Sequence, residues 1–193
     1  MNALAGEILD FWFLPAHEPN HHRPRVEWFR KDEKFDALIR EKFGDAVESA
    51  LQNSVIEVSN ADEMLARILL LDQFTRNIFR GTARAFAGDL LALKLALAMT
   101  DSGLEQTLAP VRRSFVYLPF EHSEDLAMQH KSVALFSALC ESSGLDFAGN
   151  LDYAQRHFDI IFRFGRFPHR NALLGRASTP GEVEFLTKPG SSF

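Results

Sequence analysis

The chain is 193 residues long, 46% apolar and 24% charged, with a formal net charge of -5 and a single cysteine. That length suffices for one well-buried core, and the balance of apolar to charged residues excludes the disordered and fibrous classes. The negative charge works against non-specific attachment to nucleic acid or anionic membrane, while the lone Cys140 rules out an internal disulfide and fits a reducing cytoplasm.

Apolar residues recur at spacings of three and four nearly throughout, which predicts an all-α fold, a single domain over 1–189 with a flexible tail at 190–193. The N-terminus reads Met-Asn-Ala-Leu-Ala-Gly-Glu-Ile-Leu-Asp, with no basic stretch before its apolar residues, so no secretion signal is expected. The first helix carries Leu4, Ile8, Leu9, Phe11 and Trp12 and must stop before Pro15. In the loop that follows, Glu18-Pro19-Asn20-His21 has the spacing of a di-iron carboxylate motif, but such motifs sit on helices and Pro19 argues for a loop. His17, His21 and His22 therefore read as exposed, and no metal or cofactor is expected.

Asp32 is placed to cap a second helix with the stripe Phe35, Leu38, Ile39 and Phe43, although Gly44 weakens its continuity. Asn60 and Glu63 resemble a capping box opening a third, over about 60–79. On this helix Leu65, Ala66 and Leu69 share a face with Gln73, Arg76, Asn77 and Arg80, and Asp72 precedes Arg76 by one turn. An apolar stripe that turns polar in mid-helix has two readings. Either the arginines form an internal ion-pair network, or Arg76 and Arg80 fork onto a carboxylate or phosphate while Asn77 orients it.

Thr82 is expected to start a fourth helix reaching Met99. Its apolar run, 90–99, is about half a bilayer span and contains Lys94, so nothing crosses a membrane. The segment Tyr117-Leu118-Pro119-Phe120-Glu121-His122-Ser123-Glu124 is expected to be irregular and to lead into a helix capped by Ser123. That helix start offers unpaired N–H groups, with His122 available for proton transfer or hydrogen bonding beside Tyr117 and Glu124.

The next helix, from Asn150 to near Gly165, places Asp152, Arg156, Asp159 and Arg163 on a solvated face and Tyr153, His157, Ile160 and Phe164 on an apolar one, where His157 reads as a core histidine. It runs into Phe-Gly-Arg-Phe-Pro-His-Arg-Asn, 164–171. Gly165 permits a sharp exit, Pro168 biases Phe167 out of the helical region, and the turn is expected to throw Arg166, His169, Arg170 and Asn171 outward. From 156 to 176 five arginines stand against one acid, Asp159, so the apolar setting demands either acids from elsewhere, which Asp72, Glu121, Glu124 and Asp125 could supply, or an anionic ligand. Thr179-Pro180-Gly181-Glu182 carries the full signature of a helix start.

Phosphate loops, nucleophile elbows and zincin motifs are absent. Arginine interleaved with phenylalanine over 163–170 is a pattern that can stack on unpaired bases, but the acidic chain lacks lysine clusters and recognised modules, which argues against nucleic acid.

Three segments carry a family resemblance: Leu-Leu-Leu-Asp-Gln-Phe-Thr-Arg-Asn-Ile-Phe-Arg-Gly-Thr at 69–82, Tyr-Leu-Pro-Phe-Glu-His-Ser-Glu at 117–124, and the octapeptide at 164–171. With the Leu-Gly-Arg and Ser-Thr-Pro elements near 174–180, the chain resembles the bacterial family called domain of unknown function 924. The resemblance implies stacked antiparallel helical hairpins of tetratricopeptide-like type and supplies no activity. Thr75 stands where the family pattern has proline, which leaves the polar residues in place.

The residues thus point to a cytoplasmic protein holding a small anionic ligand among Gln73, Arg76, Asn77, Arg80, Tyr117, His122, Glu124, Arg166, His169, Arg170 and Asn171. His122 or His169 would transfer the proton if a reaction occurs. The competing reading is a scaffold that binds a peptide or protein partner, with the same polar residues as an internal clamp.

Overall fold

The computed structural model describes residues 2–21, 23–55, 60–143 and 147–192, and the described residues contain helices and turns with no strand. His22, a member of the histidine loop, lies outside them, as do Gly144 and the terminal Phe193. Contacts divide the chain into two compact units, Met1–Arg80 with Arg84–Pro119, and Gly81–Ala83 with Phe120–Phe193.

In the first unit, α1 (Ala3–Phe13) starts where the Asn2 side chain accepts the Ala5 N–H at 2.8 Å. Its other end is closed from a distance. Arg25 donates to the Phe11 and Trp12 carbonyls at 2.7 and 2.9 Å, and the Trp28 indole donates to Trp12 at 2.9 Å. These bonds satisfy carbonyls that a helix leaves open at its C-terminus. Trp12 packs against Trp28, Phe35, Phe74 and Phe115 with ring centroids 5.4 to 6.1 Å apart, a spacing at which each aromatic pair adds about 0.5–1.5 kcal/mol beyond burial.

Asp32 caps α2 (Glu33–Gln52) through the Lys34 and Phe35 N–H groups. The helix passes through Gly44 unbroken, and a Cβ at that position would meet no atom within 4 Å. Gly44→Ala is therefore expected to raise unfolding stability by about 0.5–1 kcal/mol in urea denaturation, the difference in helix propensity between the two residues.

Asn60 caps α3 (Ala61–Ile68), accepting the Glu63 N–H at 3.0 Å. The helix then widens into a π-helical stretch, Leu69–Phe74, before α4 (Thr75–Ile78). Thr75 donates its hydroxyl to the Leu71 carbonyl at 2.8 Å within this stretch. The helix expected from Thr82 is instead a 3₁₀ turn, Ala83–Phe86, followed by α5 (Asp89–Ser102). Just before α5 the Gly88 backbone lies so close to Leu71 that a Cβ there would fall 2.1 Å from the Leu71 oxygen.

The segment expected to be irregular is mostly helical: α6 spans Pro110–Glu121, with Pro119 inside it and the boundary between the units just after Pro119. In the second unit α7 (Leu126–Ser143) is capped by Asp125 rather than Ser123. The Asp125 carboxylate accepts the Ala127 and Met128 N–H groups at 2.7 and 3.2 Å, while Ser123 Oγ accepts from Asp125 itself. α7 packs on α8 (Ala148–Phe164), whose buried face carries Ala154, His157, Ile160 and Ile161. Tyr153 leaves the apolar face assigned to it and is 51% exposed.

Gly165 takes a left-handed conformation, φ 68°, and ends α8 as its position predicts. A 3₁₀ turn, Pro168–Arg170, follows, and α9 (Pro180–Leu186) opens with a complete Thr179–Glu182 capping box. Near the C-terminus Ser191 is buried and its hydroxyl donates to the Leu186 carbonyl at 3.2 Å. No described helix is long and apolar enough to cross a membrane.

Candidate functional site

The polar stripe of the first unit is bound internally. Asp72 is fully buried, accepts from the Gln73 amide at 2.5 Å and lies 3.1 Å from the Arg76 guanidinium. Arg76 also forks onto Asp89 at 2.8 and 3.2 Å. Arg80 does not continue the ladder. It reaches Asp36 on α2 through two bonds of 2.6 and 2.9 Å, and Asn77 donates to the same carboxylate at 2.7 Å. Asp36, 7% exposed, thus accepts three hydrogen bonds and raises the Arg80 pKa above its ordinary value.

Tyr117 is buried on α6. Burial pushes its phenol up, and nearby Glu105 adds to that against the opposing charge of Arg113.

The second unit holds the other candidates, and they divide into two groups. Arg166 forks onto Glu182 at 2.6 and 2.7 Å and donates to the Ala177 carbonyl at 2.9 Å. Glu182 also closes the α9 capping box, and the Arg166 bonds, acting against burial, hold its carboxyl down at about 2. Glu124 accepts a fork from Arg176, 2.6 and 2.9 Å, and the Phe167 N–H at 2.8 Å. Burial works upward on Glu124, but the Arg176 and Phe167 bonds outweigh it and leave the carboxyl below its ordinary range. Asn171 accepts from Arg176 at 3.0 Å and donates to Ser178 at 3.0 Å. These residues lock the turn after α8 onto the loop before α7 and onto the start of α9.

His169 and Arg170 form the other group, around Phe167, with His122 reaching it through His157. The Arg170 guanidinium lies 4.5 Å over the Phe167 ring, with the His169 ring 5.6 Å away and the buried His157 ring edge-on at 5.4 Å. His122 stands 6.2 Å from His157. The octapeptide turn therefore points Arg170 and Asn171, 7% and 1% exposed, inward and not outward. A proline-fixed 3₁₀ turn reverses the chain so that its second half returns to the Phe167 anchor.

The ring nitrogen His157 Nδ1 lies 2.8 Å from the Tyr153 carbonyl and 3.3 Å from Glu121. Both partners accept, so Nδ1 carries the proton, and in the neutral ring Nε2 is left as an acceptor. Burial, then the proximity of His122, drives the His157 pKa down to about 3 despite the Tyr153 bond. Burial and Arg170, opposed by Glu124, bring His169 to about 4. Both imidazoles are neutral at pH 7.

The sequence had marked the octapeptide and named Glu124 and Glu121 among the acids able to answer the 156–176 arginines, and Glu124 does pair with Arg176, whereas Glu182 as the partner of Arg166 and the placement of Glu121 beside His157 were not foreseen. The available signal was the excess of five arginines over one acid between 156 and 176, which required distant carboxylates. Among the described residues no group of three or more His, Cys, Asp or Glu side chains is placed to hold a metal ion.

A structure of a protein of unknown function from Agrobacterium tumefaciens is similar at 38% identity with a TM-score of 0.74, over 95% of this chain and 97% of that one. No curated protein matches. The sequence profile of the bacterial proteins of unknown function called DUF924 matches residues 8–190, nearly the full length, and includes all three quoted segments. The chain belongs to the DUF924 family.

Proposed function

We propose that this protein binds a small oxyanion, a carboxylate or phosphate, at the second-unit group of His122, His169 and Arg170. The observation that carries this reading is the gathering of two imidazoles and one guanidinium around Phe167, with a third imidazole, His122, beside His157, in a protein of net charge -5. Guanidinium groups pair with such anions in forked geometry, and imidazoles add hydrogen bonds. His157 sits beneath the group as a positioning residue. A neutral His169 also suits proton transfer if the bound anion reacts. Arg166, Glu124 and Asn171 support the turn, and Gln73, Arg76, Asn77 and Arg80 belong to an internal network in the first unit. The single cysteine is compatible with work in a reducing cytoplasm.

The test is a low-salt thermal-shift series with sulfate, phosphate and small carboxylates. An anion at about a hundred times its dissociation constant adds about 2.7 kcal/mol, which raises the midpoint of a chain this size by about 5–10 °C. The shift should vanish in a folded Arg170→Gln variant. An equal shift in that variant, or none in the wild type, would sink the site.

A second reading has its own support. Because Arg76 and Arg80 already hold Asp72, Asp89 and Asp36, the first-unit cluster acts as a clamp, as required of a helical scaffold for a peptide partner.

A further inference from the structure

The first unit contains a cavity of about 300 Å³ where α1, α2, α3 and α5 meet the start of the π-helical stretch. Ile8, Met64, Leu70 and Leu95 form its floor, and all four are buried. The space persists because the residues lining it from α2 and α3 include Ala46, Ala50 and Ala66, whose side chains are too short to fill it. Its volume is at the lower end of the range for small-molecule pockets. At the ~30 Å³ that one water takes in the liquid, it has room for roughly ten non-hydrogen atoms.

Arg67 of α3 lines the same cavity, and its head is fixed in place. Its two terminal nitrogens donate to the backbone carbonyls of Asn53 and Val55, just past the end of α2. These acceptors are neutral, so they hold the guanidinium without cancelling its charge. Among the described residues no carboxylate pairs with it. Glu63, one turn earlier and in the order that favours a pair with Arg67, gives its Oε1 to the Asn2 N–H at 2.8 Å.

A cation held still beside an apolar floor is preorganised for an amphiphile of opposite charge, because the rotamer freedom of the arginine is lost before the ligand arrives. We propose that this cavity binds a medium-chain carboxylate, its head on Arg67 and its tail on the floor. Octanoate matches the space. Glu63 also lines the cavity, so the ligand's carboxylate sits on the far side of the guanidinium from it, where Ser49 and Asn53 add polar side chains. The site lies wholly within the first unit and does not depend on the anion site of the second.

The test is calorimetric titration of the full chain at constant ionic strength with acetate, butanoate, hexanoate, octanoate and octan-1-ol. We expect affinity to rise about fourfold for each methylene added from butanoate to octanoate, the value of one buried methylene. Octan-1-ol, with the tail but not the charge, should bind about tenfold more weakly than octanoate. Arg67→Gln should erase that difference and leave octan-1-ol binding as it was, whereas Ala46→Phe, which puts a ring into the cavity, should abolish binding of both. Octanoate binding that survives in a folded Ala46→Phe protein, or octan-1-ol that binds as tightly as octanoate to the wild type, would overturn the proposal. So would absence of octanoate binding at millimolar concentration. Acetate, with the charge but no tail, reports on the second unit instead: affinity that does not depend on chain length would overturn the cavity and leave the other site standing, and acetate that fails to bind while octanoate binds would do the reverse.

Discussion

Asp36→Ala is expected to lower unfolding stability by about 2–4 kcal/mol, measured by urea denaturation at neutral pH. Removing one partner of a buried ion pair typically costs about 3–5 kcal/mol, because the remaining charge is left without compensation. Here the Asp36 side chain is 10% exposed, and its loss strands the Asn77 amide as well as the Arg80 guanidinium. Arg80 is 36% exposed on its side chain, and solvent recovers part of the loss, which sets the lower end of the range. Arg80→Gln should destabilise as well, and the Asp36→Ala, Arg80→Gln pair should cost less than the sum of the singles, since each removes the same bonds. Additive losses would show that the pair is energetically inert. A folded Arg80→Gln protein of unchanged stability would return Arg80 to the list of residues free to meet a ligand.

Gly88→Ala, at the N-cap of α5, is expected to cost about 3 kcal/mol or more. Gly88 has ordinary right-handed dihedrals, φ -91° and ψ -9°, so the cost is steric and not conformational. Its added Cβ would meet the Leu71 oxygen, carbon and Cα at 2.1, 2.8 and 2.9 Å. All three are backbone atoms, and no rotamer change relieves them. The start of α5 must therefore retreat from the π-helical stretch, and Asp89, the next residue, then draws back from Arg76. Overpacking of this kind costs about 1–3 kcal/mol when side chains can yield, and more when they cannot. Gly44→Ala, into open space on α2, is the matched control of opposite sign. A Gly88→Ala protein as stable as wild type would mean that the two backbones are not in contact in solution.

What could be read from the sequence was local. Asp32, Asn60 and Thr179 cap the helices they precede, Gly165 ends α8, and of the Phe35, Leu38, Ile39, Phe43 stripe Ile39 and Phe43 are buried while Leu38 is exposed, since each of these depends on residues within a turn or two. The long-range partners were not legible. Asp36 and Arg80 are 44 residues apart and Glu124 and Arg176 are 52 apart, distances over which spacing carries no information. The direction of the octapeptide turn was misread for the same reason, because Arg170 turns inward toward groups contributed by α8 and by the segment after α6. Pro119 misled in another way. A proline reads as a breaker, yet α6 runs two residues past it and loses only one backbone donor. Nothing in Leu-Leu-Leu-Asp-Gln-Phe announces a π-helix, which is a response to packing and not a propensity.

That stretch sets the phase of everything after it. A π-turn is equivalent to an α-helix with one extra residue inserted, and each residue of α-helix turns the chain by about 100°. Had α3 and α4 been joined by regular winding, Arg76, Asn77 and Arg80 would face about a quarter-turn away, and Asp36 and Asp89 would be answered by different side chains. The insertion works as a gear tooth between two helical faces. It lets Leu65 and Ile68 serve the core on one phase while Arg76 and Arg80 meet two separate acids on another. In evolutionary terms, a one-residue deletion here is not a loop-length change but a rotation of an entire pairing scheme.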